Sequence, residues 1–234
     1  MTVSRSPLPF SDVLLRHRVQ VTATQRWADA FDADPHRRKP TEDLAFWKQH
    51  AANYDSQCGA REHTDELWQS LSKLIPAGCS VLDVGCGTGR FTLLAAKNGC
   101  HVLGVDQSPE VLEIAWRKID SENLDIRLLQ LGWPSVLPEK FDVALAAWSL
   151  YGHRDIASAL LALIAASTKR VVIVDSIGLP SCHGTCTQNR AVDLAGCISE
   201  LGYVPNIIAV HERQCEPPRA VGIVWFDIEP RYLF

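Results

Sequence analysis

From residue 80 onward, short apolar runs alternate with longer stretches whose apolar residues recur every three or four positions. The runs are SVLDVG (80–85), HVLGVD (101–106), IRLLQL (126–131), FDVALAAWS (141–149) and RVVIVDS (170–176). Runs of this length, apolar on both faces, predict buried strands. Between them, RFTLLAAKNG (90–99), SPEVLEIAWRKI (108–119) and RDIASALLALIAAS (154–167) carry helical spacing. Gly99 closes the first of these helices, and Ser108 caps the second with Pro109 in its first turn. Strand–helix alternation predicts a parallel sheet covered by helices on each side.

The two ends follow other rhythms. Residues 1–40 read as a helical arm: SDVLLRHRVQV (11–21) and TQRWADAFDAD (24–34) are helical in pattern, and PHRRKP (35–40) ends them. TEDLAFWKQHAANYD (41–55) follows with Thr41 as cap, then TDELWQSLSKLI (64–75) with Leu67, Leu71 and Leu74 on one face. Near the C-terminus, residues 187–203 form an amphipathic helix with Val192, Ala195, Ile198 and Leu201 about one turn apart. NIIAVHERQ and RAVGIVWFDI come next, with only CEPP between them. That link is too short for a crossover helix, so this pair is predicted to be antiparallel.

Composition narrows the class. The chain has 234 residues, 47% of them hydrophobic, enough for one sizeable core. There is no apolar run of membrane-spanning length and no signal-like N-terminal segment, so a cytoplasmic protein without membrane association is expected. The formal net charge of −4 argues against nucleic acid as a partner. Eight cysteines are present, in no spacing that resembles a disulfide framework, and most read as reduced, buried, small apolar groups.

The chemistry concentrates in VLDVGCGTGRF (81–91). Glycines between a strand and a helix let a ligand approach the backbone, and the helix N-terminus favours partial negative charge. The pattern is G-x-G-x-G, with Arg90 where a dinucleotide fingerprint places its third glycine, and no Lys-Ser/Thr pair follows as in a P-loop. Asp83, two residues before Gly85, would repel a pyrophosphate and suit a ligand with a cationic amine. Asp106 ends the next strand, where a carboxylate can accept from both hydroxyls of a ribose. A ligand with a ribose, an ammonium and no phosphate is S-adenosylmethionine.

On these residues the chain resembles the class I S-adenosylmethionine-dependent methyltransferases. VLDVGCGTGRF is similar to their first motif, VLGVDQSPEVLEIA to their second, and FDVALAAWSLYGH to the motif on strand four. The resemblance covers roughly residues 41–234. It implies a Rossmann-like α/β fold: seven strands in the order 3-2-1-4-5-7-6, one of them antiparallel, flanked by helices. It also implies an N-terminal helical arm and lid over residues 1–75 and a methyltransferase domain over 76–234. Gly85, Gly87 and Gly89, with Asp83 and Cys86, would surround the methionine part of S-adenosylmethionine. Asp106 would hold the ribose, and Gln107 would lie by the adenine. Tyr54 sits where relatives fold an N-terminal helix over the cofactor. The acidic residue often found after strand three is missing. Trp133 lies in that region, either on the purine face or in the core or lid.

The acceptor is expected beyond the carboxyl ends of the strands. Trp148, Ser149, Tyr151 and His153 follow strand four, and Asp175, Ser176 and His183 follow strand five. Of these, Tyr151 and His153 are the candidate catalytic groups, with His153 as base, and Trp148 is counted with the cofactor site. The expected partner is a small-molecule methyl acceptor; a homodimer is left open. His101 reads as structural. Cys182, His183 and Cys186 in SCHGTCTQNR (181–190) lack the spacing of a structural zinc site, so no metal is expected. The alternatives are a metalloid or thiol acceptor held by that loop with help from Cys58, Cys197 or Cys215, or cofactor binding without turnover.

Overall fold

The computed structural model describes residues 21–34, 40–58, 66–177, 189–212 and 219–228. Seven strands, β1 (Ser80–Val84), β2 (His101–Asp106), β3 (Ile126–Gln130), β4 (Phe141–Ala147), β5 (Ser167–Ser176), β6 (Asn206–Glu212) and β7 (Arg219–Asp227), form one sheet in the order β3-β2-β1-β4-β5-β7-β6. The first five pair in parallel. β7 runs antiparallel to both β5 and β6, as the short link between the last two strands requires.

Because successive residues point to opposite faces, the strands feed two cores. Leu82, Val84, Leu103, Val105, Ala144, Ala146, Val171, Ile173, Val224 and Phe226 face one side. There they meet α1 (Ala23–Ala33), α6 (Ile156–Ala166) and α7 (Arg190–Glu200). Val81, Val102, Val143, Leu145, Val172, Val174 and Ile223 face the other side. That side is covered by α3 (Glu66–Leu71), α4 (Arg90–Lys97) and α5 (Pro109–Glu122). α2 (Pro40–Cys58) lies against α5.

The helix boundaries differ from the sequence expectation in four places. α2 begins at Pro40, so Thr41 lies inside the helix and not at its cap; a proline suits the first helical position because its missing N–H has no partner there in any case. α3 stops at Leu71, and the amides of Leu74 and Ile75 both turn back onto the Leu71 carbonyl just before Pro76. α7 buries Ala195 and Ile198 as expected, with Ala191, Leu194 and Cys197 beside them, while Val192 is exposed. β5 starts at Ser167, taking that residue from the expected helix and pairing it with Phe141 across an irregular step. The helical reading of residues 11–20 lies outside the described residues.

α1 is held at its N-terminal end. Thr22 Oγ1 caps it by accepting from Gln25 N at 3.1 Å. Glu200, at the end of α7, accepts from the amides of Ala23 and Thr24 and from Thr24 Oγ1. A Cβ on Gly196 would stand 2.7 Å from Ala23 Cβ, so the absent side chain is what lets α1 lie against α7. Trp27, only 5% exposed, donates from Nε1 to the His153 carbonyl at 2.7 Å and joins α1 to the exit of β4.

Candidate active site

The strand order reverses at β1, whose neighbours are β2 and β4. A crevice opens outside the carboxyl ends at such a switch point, and here the glycine turn and the β4 exit meet. The amides of Gly85 and Cys86 both donate to the Val105 carbonyl, at 2.8 and 3.0 Å, which bends the chain away from β1. Gly85, Gly87 and Gly89 all take positive φ, at +68°, +55° and +87°. A side chain strains such a backbone.

The three glycines serve different purposes. A Cβ on Gly85 would sit 2.3 Å from Ser149 Cβ, so this residue lets the β4 exit close against the loop. One on Gly89 would lie 3.2 Å from Ala115 Cβ, where α4 begins beside α5. One on Gly87 would meet nothing within 4 Å. Among the described residues, then, Gly87 is the member of the trio that borders open space at the mouth of the crevice.

Asp106 braces that mouth. Its Oδ2 accepts from Gly87 N at 3.0 Å and its Oδ1 from Ser108 N at 2.9 Å. Burial pushes its carboxyl up while those amides pull it down, with burial the larger effect. Each carboxylate oxygen keeps a second lone pair, so the group can still accept from a diol. Asp83 is deeper, 2% exposed, and accepts from Thr92 Oγ1 at 2.6 Å. Burial first, with the Asp106 charge adding to it, pushes its carboxyl up to about 6 against the pull of Thr92. Cys86 is buried, and desolvation, then Asp83 and Asp106, raise its thiol well above the ordinary range. It is a packing group beside Gly104 and not a thiolate.

α2 reaches over this end of the sheet. Gln107 Nε2 donates to Asp43 Oδ2 at 3.3 Å near the start of α2. Near its other end, Asp55 Oδ1 accepts from Thr88 Oγ1 at 2.6 Å and Asp55 Oδ2 pairs with Lys118 Nζ at 2.5 Å. Lys118 Nζ also donates to the Thr88 carbonyl at 2.9 Å. Tyr54, half-buried, packs edge-on to Trp47 about two helical turns earlier. Asp55, Thr88 and Lys118 were not singled out from sequence. The placement of Asp55 beside Tyr54 was the only hint, because the contact spans elements that periodicity treats separately.

The residues after β4 and β5 build a second wall. Trp148 has φ of +49°, donates N–H to the Val174 carbonyl at 2.9 Å and stacks near Phe91. Ser149 Oγ is buried and has no hydrogen-bond partner among the described residues. Tyr151 lies in a short 3₁₀ turn (Leu150–Gly152) and lines a narrow cleft with Trp27, Phe31, Asp34, Arg190 and Asp193. His153 ends that turn, and its carbonyl is taken by Trp27. Asp175 is fully buried and accepts from Ser176 N and Arg190 Nε, both at 2.7 Å. Trp133 donates from its indole to the Ala159 carbonyl at 3.1 Å and packs on the core beneath α6. Cys182, His183 and Cys186 lie outside the described residues, as does the side chain of Cys58. Among the described residues no three His, Cys, Asp or Glu side chains form a metal-holding group.

Sheet order and the glycine turn after β1 define a Rossmann-like domain, with Asp106 bonded to the Gly87 amide at the switch point. The comparisons agree with that fold: residues 81–171 match the family model described as a methyltransferase domain. The chain is 36% identical over 86 residues to a ribosomal protein L11 methyltransferase of Thermosipho africanus, covering 36% of this chain and 33% of that one. It is 30% identical over 111 residues to a magnesium-protoporphyrin O-methyltransferase of Rhodobacter capsulatus, covering 46% and 42%. The chain therefore spans less than half the length of these curated relatives. The structure of a magnesium protoporphyrin IX methyltransferase from Synechocystis with bound S-adenosylhomocysteine superposes with a TM-score of 0.55, covering 92% of this chain and 99% of that one at 16% identity. At that identity the likeness is one of fold. No helix among the described residues is long and apolar enough to cross a membrane.

Proposed function

We propose that this protein transfers the methyl group of S-adenosylmethionine to a small-molecule acceptor. The observation that carries the reading is the pairing of Gly87, whose missing side chain leaves open space, with Asp106, which holds the Gly87 amide and keeps lone pairs for a diol. The residues suit the cofactor in a second respect. Ser149 Oγ is a buried hydroxyl without a partner among the described residues, 3.2 Å from where a Gly85 Cβ would stand. It is a donor for the carboxylate end of the methionine part.

When bound, the cofactor supplies a methyl group already activated on a sulfonium. The protein's work is therefore to orient and to exclude water. Holding the acceptor in line contributes roughly 7–11 kcal/mol, more than a general base adds. Asp106 orients the ribose, and Gly87 admits the cofactor against the backbone. Asp83 supplies negative charge behind the loop for the ammonium, with Cys86 as packing. Gln107 borders the adenine, with Trp148 closing the β4 side. α1 and α2 serve as the lid, α2 carrying Tyr54 and tied down at Asp43 and Asp55. Tyr151 and His153 flank the acceptor. Since the Trp27 indole holds the His153 carbonyl, this histidine's backbone is committed to positioning α1, and any proton transfer falls to its ring.

The test has two parts. Titration calorimetry with S-adenosylhomocysteine should show one site per chain. Labelled S-adenosylmethionine incubated with a small-metabolite extract should then yield labelled low-mass product. Binding without labelled product from any pool would demote the protein to a cofactor-binding module. Label in protein and not in metabolites would change the acceptor class.

A further inference from the structure

At the end of the sheet opposite the glycine turn, a cysteine precedes each of the first two strands. β1 begins at Ser80 and β2 at His101, so Cys79 and Cys100 stand immediately before them. Ser80 and His101 are partners in the parallel register, and His101 N donates to the Cys79 carbonyl at 3.0 Å. One step back along that register sets Cys79 beside Cys100. Adjacent parallel strands run about 4.8 Å apart, and a disulfide spans Cα atoms about 4.4–6.8 Å apart.

Both side chains lie on the same side of the sheet. Cys100, 6% exposed, belongs to the core beneath α3 and α4, and Cys79, partly exposed, packs against that core. Cys100 Sγ donates to the Pro76 carbonyl at 3.4 Å, and the Cys79 amide donates to the same oxygen at 3.3 Å. One acceptor thus holds the Cys100 sulfur against the backbone of Cys79. The other cysteines whose side chains are described are placed differently. Cys86 lies past the opposite end of β1, and Cys197 is in the core on the other face.

The two thiols differ in their surroundings. Burial, then the charge of Cys79, pushes the Cys100 thiol up, so it keeps its proton. Cys79 opens to solvent beside Lys169. Asp142, 2.9 Å from Lys169 Nζ, is the main influence on that ammonium, and the charge of a Cys79 thiolate adds to it in the same direction. Cys79 is therefore the thiol that an oxidant in solution meets first, with Cys100 behind it.

We propose that Cys79 and Cys100 form a dithiol site that hydroperoxides oxidise to a reversible disulfide across the base of β1 and β2. The Cys79 thiolate sulfur attacks a peroxide oxygen, and the O–O bond breaks. Cys79 becomes a sulfenic acid, and the departing oxygen takes up a proton as water or alcohol. The Cys100 sulfur then attacks the Cys79 sulfur, the S–O bond breaks, and hydroxide leaves with the Cys100 proton as water. The two electrons lost by the sulfur pair are those gained by the peroxide. A thiol reductant reverses the bond by exchange. The site lies a strand's length from the glycine turn and does not depend on the methyl-transfer reading.

The test uses the reduced full chain in non-denaturing buffer, with hydrogen peroxide as oxidant and iodoacetamide to block the remaining thiols. Peptide mass spectrometry reads the linked pairs, with fragmentation to separate Cys79 from Cys86, which share a tryptic peptide. Cys79 should be joined to Cys100 in roughly tenfold excess over any other pair, because proximity selects it. Dithiothreitol should return both to thiols. With Cys100→Ala, dimedone should label Cys79 as the sulfenic acid; with Cys79→Ala, Cys100 should resist labelling. In urea, where the register is lost, pairing should scatter among the eight cysteines. The wild-type measurement does not depend on either variant folding. No Cys79–Cys100 link in the folded wild type, an equal yield in urea, or a main product joining either residue to another cysteine would each overturn the proposal.

Discussion

Thr88 Oγ1 donates to Asp55 Oδ1 at 2.6 Å, and this one bond joins the middle of the glycine turn to the last turns of α2. Lys118 closes the arrangement by pairing with Asp55 and donating to the Thr88 carbonyl. The three groups come from different elements, and together they hold α2 against the end of the sheet where the cofactor is proposed to lie.

If α2 is a lid, breaking this junction should speed the escape of ligand. Asp55→Ala removes both contacts, and a charge-assisted hydrogen bond of this kind contributes about 1.5–3 kcal/mol. S-adenosylhomocysteine should dissociate roughly tenfold faster by stopped-flow displacement, with little change in association. An unchanged off-rate would mean that α2 does not cover the ligand.

Asp106 is predicted to matter twice, for the ribose and for the shape of the turn. Asp106→Ala should weaken S-adenosylhomocysteine binding by about 1.5–3 kcal/mol, roughly ten- to 150-fold. Asp106→Asn, which can still accept from one amide, should fall between. Calorimetry giving wild-type affinity for Asp106→Ala would remove the ribose assignment.

The glycines should separate by phenotype. Gly85→Ala drives a Cβ to 2.3 Å from Ser149 Cβ and adds positive-φ strain, so stability should fall. Overpacking costs typically about 1–3 kcal/mol and the left-handed backbone roughly 1–2 more. In a chain of this size that lowers the melting temperature by at least about 5 °C. Gly87→Val should carry mainly the backbone strain yet abolish cofactor binding. A Gly87→Val protein that binds normally would show that the turn does not approach the ligand.

Asp83 makes a prediction about pH. Its folded-state pKa is raised to about 6 from 3.8, chiefly by burial. Below the unfolded value the group is protonated in both states and contributes nothing. As pH rises from 3.8 towards 6, the unfolded chain ionises first, so stability is lost, and the loss is complete above about pH 6. A shift of this size corresponds to about 3 kcal/mol. Asp83→Asn keeps an acceptor for Thr92 without the charge. In the cofactor-free protein it should therefore gain on the wild type progressively between pH 4 and 6 in chemical denaturation. Parallel stability curves for the two proteins would refute the buried-charge account.

Much of this architecture was legible beforehand because it is local. β1, β2, β4 and β5 are short apolar runs whose two buried faces leave no alternation to misread, and Gly99 closes α4 as expected. The seven-strand order followed from the resemblance carried by the turn at 81–91, and the antiparallel end from the shortness of CEPP. Where local signals competed, they misled. Val192 fits the spacing of a buried stripe with Ala195 and Ile198, which are buried, yet it is exposed itself, and the helix buries Ala191, Leu194 and Cys197 in addition.

The sequence by itself determined the class of fold: a parallel sheet ending in an antiparallel pair, a glycine turn at Gly85 to Gly89, and an acid, Asp106, at the end of the next strand. These depend on residue type and spacing over a few positions, which is what a sequence records. The tertiary structure alone decided how the three glycines divide their tasks, since only packing reveals that Gly85 answers to Ser149, Gly89 to Ala115 and Gly87 to open space. It also brought Asp55 to Thr88 and Lys118, and set Arg190 between buried Asp175 and the Tyr151 ring. Contacts such as these join residues tens of positions apart, and the free energy that selects them comes from burying whole faces of helices against the sheet, which no short stretch of sequence encodes.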